Sequence, residues 1–200
     1  DMDDIEYDET ALQKISNERD SMNIKHPETV TINNDELMLL ANVVRNKEGV
    51  LRAQKAISLF DKNIKIQILN KTAKTAKEAA LALDCEVGAI VKSLLLRADE
   101  GFIICLIPGD KKCSLNKLKK LTNKKDVCMA NADQVKDQTG YTIGGVSPVG
   151  HIKKNKIMID LKLKRFEFLY AAAGHPNCIF KISYKKLIEI SNGKEVDISE

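Results

Sequence analysis

Apolar residues recur along the chain with two periods, one of three to four positions and one of two, and their succession marks out alternating helices and strands. Asn34 is suited to a helix N-cap, and Leu37, Leu40, Ala41 and Val44 follow it at helical spacing, predicting a helix to about Val44. Upstream the chain is polar and weakly periodic, with one short helix expected around Glu9 to Arg19. The Lys47-Glu48-Gly49 break then separates a leader, residues 1–48, from a body, residues 49–200. In the body, Leu51, Ala56, Leu59 and Phe60 form the apolar side of a helix from about Val50 to Phe60. Ile64, Ile66 and Ile68 alternate with lysine and glutamine as a half-exposed strand. Thr75 and Glu78 have the spacing of a capping box, which starts a helix before Ala79 to Leu83.

Ile90 to Arg97 reads as a buried strand, and Phe102 to Ile107 as the next, ended by Pro108-Gly109. Ser114 caps a helix whose Leu115, Leu118 and Leu121 face inward, and Asn131 to Gln138 predicts another. Strands follow at Ile157 to Asp160, Phe166 to Ala173 and Cys178 to Ser183, with a tight turn at Gly174 to Asn177 and a closing helix at Tyr184 to Ile190. Short strands and helices that alternate, with strands gathered near the end, predict an α+β fold around a mixed sheet rather than a doubly wound one.

Composition narrows the class. With 44% hydrophobic residues, nine aromatics and no Trp, the core is expected to be aliphatic. The five cysteines are odd in number and form no Cys-x-x-Cys pair, which points to reduced thiols in a cytoplasmic setting rather than a disulfide framework or a zinc site. His175 and Cys178 could share a metal, but two ligands do not make a site, and no metal or other cofactor is expected. No apolar run is long enough for a membrane helix, and no leader of the secretory type is seen. A start at Asp1 and the additional leader suggest a segment of a longer polypeptide, although processing would leave the same start.

Charge is divided unevenly. Residues 1–48 hold 12 acidic and 5 basic side chains, net −7, and the body carries net +11. Lys111, Lys112, Lys117, Lys119, Lys120, Lys124 and Lys125 crowd around one short helix, either a solvated face or a patch that follows a phosphate backbone. Without interleaved aromatics such a patch would position a nucleic acid rather than read its bases.

Two stretches carry the candidate chemistry. Thr139 to Gly150 packs four glycines and Pro148 around Tyr141, Ile143 and Val146, whose spacing suggests a strand broken into a turn at Gly144, Gly145 and Pro148. A stiff loop with outward amides can bind a carbonyl oxygen, carboxylate or phosphate; the plainer reading is a kinked bend between strands. Lys92 sits in the strand from Ile90, on one face with Ile90, Leu94 and Leu96. Its ammonium must find an anion, reach water or lose its proton. It is either a strand-end lysine paired with a carboxylate or a cation at the mouth of a pocket.

Val91-Lys92-Ser93-Leu94, then Thr139 to His151, then Asp160, then Ala171-Ala-Ala-Gly-His-Pro-Asn177 resemble, in order, the signatures of the YbaK/ProX family. Those proteins are aminoacyl-tRNA deacylases, also found as the editing domain of prolyl-tRNA synthetases. The resemblance runs from about Val50 to Ile198. It implies a strongly curved, barrel-like mixed sheet and hydrolysis of the ester that joins a wrong amino acid, alanine or cysteine, to tRNA(Pro). It further implies a functional Lys92, an aminoacyl pocket lined by Gly144, Gly145, Val146, Ser147 and Pro148 beside Ile143, and a closing turn at Gly174, His175, Pro176 and Asn177. The partners implied are tRNA, through Lys111, Lys112, Lys117, Lys119 and Lys120, and a prolyl-tRNA synthetase in cis or in trans. The YbaK branch carries an Asp shortly after the turn, where this chain has Ile179 and Phe180; the preferred amino acid stays open on that account.

An aminoacyl ester is already activated, so orienting a water and stabilising one oxyanion can suffice without a catalytic triad; bare amides of the Gly144 to Pro148 loop, with Gly144 and Gly145 as the catalytic pair beside Lys92, are expected to supply the oxyanion donor. His151 and His175 rank below Lys92, and Asp160 is expected to anchor a turn. The competing readings are a catalytically lapsed module that recruits tRNA to a synthetase and a general basic RNA-binding domain, the latter disfavoured by the lack of aromatic stacking platforms.

Overall fold

The computed structural model describes residues 47–71 and 73–200, so the leader helices expected around Glu9 to Arg19 and Asn34 to Val44 lie outside the described residues. Helix α1 (Lys47–Phe60) begins three residues before the expected start, across the glycine break. Strand β1 (Ile66–Ile68) and helix α2 (Ala76–Leu83) follow. The α2 start is the expected capping box: Thr75 Oγ1 accepts from the Glu78 amide, and the Glu78 carboxylate accepts from the Thr75 amide at 2.9 Å. Asn131 and Gln134 repeat the device at α4 (Ala132–Thr139), while Ser114 and Ser183 cap α3 (Leu115–Thr122) and α5 (Tyr184–Ser191).

The strands form two sheets. One has the order β4 (Val127–Met129), β2 (Val91–Ala98), β3 (Gly101–Pro108), β5 (Lys156–Asp160), β8 (Lys194–Val196); its first three strands are antiparallel, and β5 and β8 add in parallel. The other is the β6 (Phe168–His175) and β7 (Cys178–Ser183) hairpin with β1 on its edge. An isolated bridge between Ile90 and Tyr170 links them. The fold is therefore α+β with mixed pairing, as expected, but not one strongly curved, barrel-like sheet. Strand β2 pairs with β4 only through Leu96–Ala98, so among the described residues one edge of its first half carries no strand partner and the sheet does not continue around.

That alternation builds two cores. Val91, Leu95, Ile104, Leu106, Ile157 and Ile159 join one, and Leu96, Ile103, Cys105, Ile107 and Met158 join the other, with Leu94 packed against it. Helix α1 meets the first core through Ala53 and Ile57, with Val50 and Ala56 beside them, whereas Leu51 and Leu59 are 49% and 80% exposed. The expected apolar face is thus rotated: the side chains at 50, 53 and 57, not those at 51 and 59, pack into the core. A Cβ at Gly174, where φ is +91°, would come within 2.5 Å of the Gly49 carbonyl carbon, so only glycine permits this approach. In α3 Leu118 is fully buried, but Leu121 is half exposed, again contrary to expectation. Asp160 anchors the chain end, its Oδ2 accepting from the Ile198 and Ser199 amides at 2.9 and 2.7 Å. No described helix is long and apolar enough to cross a membrane.

Candidate functional site

Along the unpaired edge of β2 lies a cavity of about 360 Å³. Ile90 to Leu95 form one wall; Ile143, Gly144 and Val146 form a second; Ala172, Pro176 and Ile179, from the hairpin, form a third; Lys74 to Ala76 close one end. The lining is mostly aliphatic and small. Of the residues expected from sequence, Lys92, Ile143, Gly144, Val146 and Pro176 line the cavity. Gly145, Ser147, Pro148, Gly174, His175 and Asn177 do not, and several of these instead hold the walls in place.

The glycine stretch is loop throughout rather than a strand broken into a turn: residues 141–150 contain no strand. Tyr141 is fully buried and its hydroxyl donates to the Val149 and Gly150 carbonyls at 2.8 and 3.1 Å. Burial raises the phenol to about 12, so it remains a donor. Arg52 donates through Nε to the Gly150 carbonyl at 2.8 Å and stacks over the Tyr141 ring. His151 Nε2 lies 2.7 Å from the Ser147 carbonyl and therefore carries its proton there; burial lowers its pKa. The histidine fixes the loop and does not line the cavity.

The amides are not all bare. Gly145 donates to the Thr142 carbonyl at 3.0 Å and accepts from the Gly174 amide at 3.1 Å, which ties loop to hairpin. A Cβ at Gly145 would lie 2.9 Å from His175 Cα, so the two backbones meet where no side chain fits. The Gly144 and Val146 amides make no hydrogen bond among the described residues. Unlike Gly145, both residues line the cavity and keep their amides free to donate.

Asn177 secures the hairpin turn. Its Nδ2 donates to the Leu69 and Lys71 carbonyls at 3.1 and 2.6 Å, and its amide donates to His175 Nδ1 at 3.1 Å. That bond leaves the His175 proton on Nε2, and burial lowers the pKa of the ring. His175 is not part of the lining.

Lys92 and its neighbour Ser93 leave β2 on opposite faces. Lys92 shares its face with Leu94 and Leu96, and its ammonium donates to the Lys111 carbonyl in the turn after β3. Burial lowers its pKa, while Asp110 pulls the other way. The glycine loop packs on the other face, where Val146 joins the core of Val91 and Leu95. Lys92 lines the cavity along β2, but its ammonium is turned to the Lys111 carbonyl rather than toward the loop amides, a correction to the simple convergence expected. On the loop face, Ser93 has a buried Oγ with no hydrogen-bond partner among the described residues. Sequence reasoning passed over Ser93, and over Lys74, Met129, Ala130 and Val135; the strand alternation that singles out Lys92 also assigns Ser93 to the other face.

The lysine cluster is less uniform than its sequence suggests. Lys117 is held by Asp197 at 2.9 Å and the Ser199 carbonyl at 2.8 Å, so it serves the fold. Lys111 and Lys119 are half-buried, whereas Lys112, Lys120, Lys124 and Lys125 are exposed.

Residues 70–190 match the model of the aminoacyl-tRNA editing domain. The uncharacterized protein YwhH of Bacillus subtilis is 32% identical over 60% of this chain and 76% of its own length. A candidate Cys-tRNA(Pro)/Cys-tRNA(Cys) deacylase, EbsC of Enterococcus faecalis, is 26% identical over 62% of this chain and 77% of its length. The proline–tRNA ligase of Kosmotoga olearia is 38% identical over 46% of this chain, but the matching part spans only 16% of that ligase. The crystal structure of a candidate trans-editing enzyme for prolyl tRNA synthetase superposes with a TM-score of 0.72 at 32% identity, over 76% of this chain and 97% of that one.

Proposed function

The chain belongs to the aminoacyl-tRNA editing domain family, and on that premise we propose that the cavity beside β2 hydrolyses the ester of tRNA(Pro) carrying an amino acid smaller than proline, alanine or cysteine. The observation that carries this reading is the cavity itself. At about 360 Å³ it is at the small end of ligand pockets, and its mostly aliphatic lining includes the small side chains of Ala130, Val135, Val146 and Ala172. A synthetase pocket built for proline rejects a side chain lacking a methylene or two by only about 1–3 kcal/mol, so a second, narrower site has work to do.

The reaction needs little machinery. A water attacks the ester carbonyl carbon, the carbonyl oxygen takes up negative charge, and the bond to the ribose oxygen breaks; that oxygen recovers the proton, releasing free amino acid and tRNA. The Gly144 and Val146 amides supply hydrogen bonds to the developing oxyanion, and one preorganised donor is worth about 3 kcal/mol. The neighbouring ribose hydroxyl helps to orient the water. Lys92, on the other face, holds the terminal phosphate of the tRNA, giving up the Lys111 carbonyl as it does so. Exposed Lys112 and Lys120 attract the rest of the acceptor end. Whether the partner synthetase acts in cis or in trans, its part is to deliver the mischarged tRNA.

The test is hydrolysis of tRNA(Pro) charged in turn with alanine, cysteine and proline. Alanyl or cysteinyl ester is expected to disappear faster than without protein, while prolyl ester is spared. Loss of every ester at the uncatalysed rate would overturn the enzyme reading in favour of a lapsed tRNA-binding appendage.

A further inference from the structure

We infer that Ser93 is a substrate-positioning residue whose hydroxyl accepts a hydrogen bond from the α-amino group of the bound aminoacyl ester. The inference rests on the deacylase reading and assigns a contact within the same cavity.

Elimination among the lining side chains leads to it. The substrate brings an amino group with N–H bonds to satisfy, and among the described residues the cavity wall holds no Asp or Glu to receive them. Lys74 and Lys92 only donate. The side chains that line the cavity and carry an oxygen are Thr75 and Ser93. Thr75 Oγ1 is already the helix cap, accepting from the Glu78 amide at 3.2 Å. Ser93 Oγ is buried and has no hydrogen-bond partner among the described residues.

Placement agrees with that count. Ser93 shares its face of β2 with Val91 and Leu95, which pack in one core with Val146 of the glycine loop. An acyl group whose carbonyl oxygen meets the loop amides would therefore have Ser93 on the same side of the strand, and Lys92 on the other. A buried hydroxyl without a partner is costly in the empty protein. Binding a donor removes that cost, so the site gains most from a ligand that carries one.

The test compares alanyl-tRNA with propionyl-tRNA, which differ only by the α-amino group, each corrected for its hydrolysis without protein. Wild-type protein is expected to prefer the alanyl ester about tenfold in kcat/KM, the size of one buried hydrogen bond. Ser93→Ala is expected to lower hydrolysis of the alanyl ester about tenfold and leave the propionyl ester unchanged, and Ser93→Thr to restore the preference. An equal effect on both esters, or none on either, would overturn the inference. Calorimetric binding of the amide-linked, non-hydrolysable alanyl and propionyl adenosines separates it from the deacylase reading. If no ester is hydrolysed but the alanyl amide still binds more tightly in wild type than in Ser93→Ala, deacylation fails and the Ser93 contact stands. Equal binding of both amides sinks the contact itself.

Discussion

The two faces of strand β2 differ by a one-residue step and do different work. One face carries Lys92, Leu94 and Leu96; its cation is engaged with the turn at Lys111. The other carries Val91, Ser93 and Leu95 and receives the glycine loop through Val146. Residues from both faces line one cavity, along the stretch of β2 whose edge has no strand partner among the described residues. The contrast teaches that a cation and a set of amides can serve one ester without touching. On the proposed reading the phosphate end is held from one side of the strand, and the acyl end is handled on the other.

The comparison breaks most completely on the loop side. Gly145→Ala forces a Cβ to within 2.9 Å of the hairpin backbone at His175. The loop must then move away from its amide positions, and the plateau rate of single-turnover deacylation is expected to fall by about 100-fold or more. A rate within threefold of wild type would show that this loop does not stabilise the reaction. Asn177→Ala acts one step further out: it leaves the Leu69 and Lys71 carbonyls without their donor and is expected to cost about 2–3 kcal/mol in urea unfolding. An unchanged midpoint would remove Asn177 from the account of how the hairpin wall is held.

A pH dependence sharpens the contrast more gently. Burial lowers the pKa of His151 and of His175, so the unfolded chain binds protons more readily than the folded one between those lowered values and the ordinary 6.5. Stability is therefore full above pH 6.5 and declines as the pH falls through the window below it. The melting temperature is expected to drop by a few degrees between pH 7.5 and 5.5, and His151→Gln, which keeps a donor for the Ser147 carbonyl, to flatten part of that slope. The smallest effect belongs to the exposed lysines. Lys112→Glu with Lys120→Glu is expected to weaken tRNA binding severalfold at low salt and to reduce its salt dependence, with the plateau rate untouched.

Much of the architecture was legible in the chain. Thr75 with Glu78, Asn131 and Ser114 announce helix starts through local hydrogen bonds that sequence spacing captures directly. Strand β2 and its alternation were equally plain, and they singled out Lys92 among aliphatic neighbours on one face. What spacing could not reveal depends on contacts distant in sequence. The buried face of α1 was misread because Leu51 and Leu59 look like core residues, while the close approach of Gly174 favours Ala53 and Ile57. The separation into two sheets follows from how far β4 runs along β2, and β4 and β8, three residues each, gave no pattern long enough to read. Ser93 was overlooked because a serine in a strand is unremarkable until its hydroxyl is seen to lack a partner.

The division of labour across β2 is tested most directly by titrating Lys92→Met, which keeps the apolar stem and removes the charge, in single-turnover deacylation of alanyl-tRNA(Pro). The half-saturating concentration is expected to rise about tenfold while the plateau rate stays within twofold of wild type. A plateau rate that falls at unchanged half-saturation would contradict it, and would place the Lys92 ammonium at the reacting ester instead.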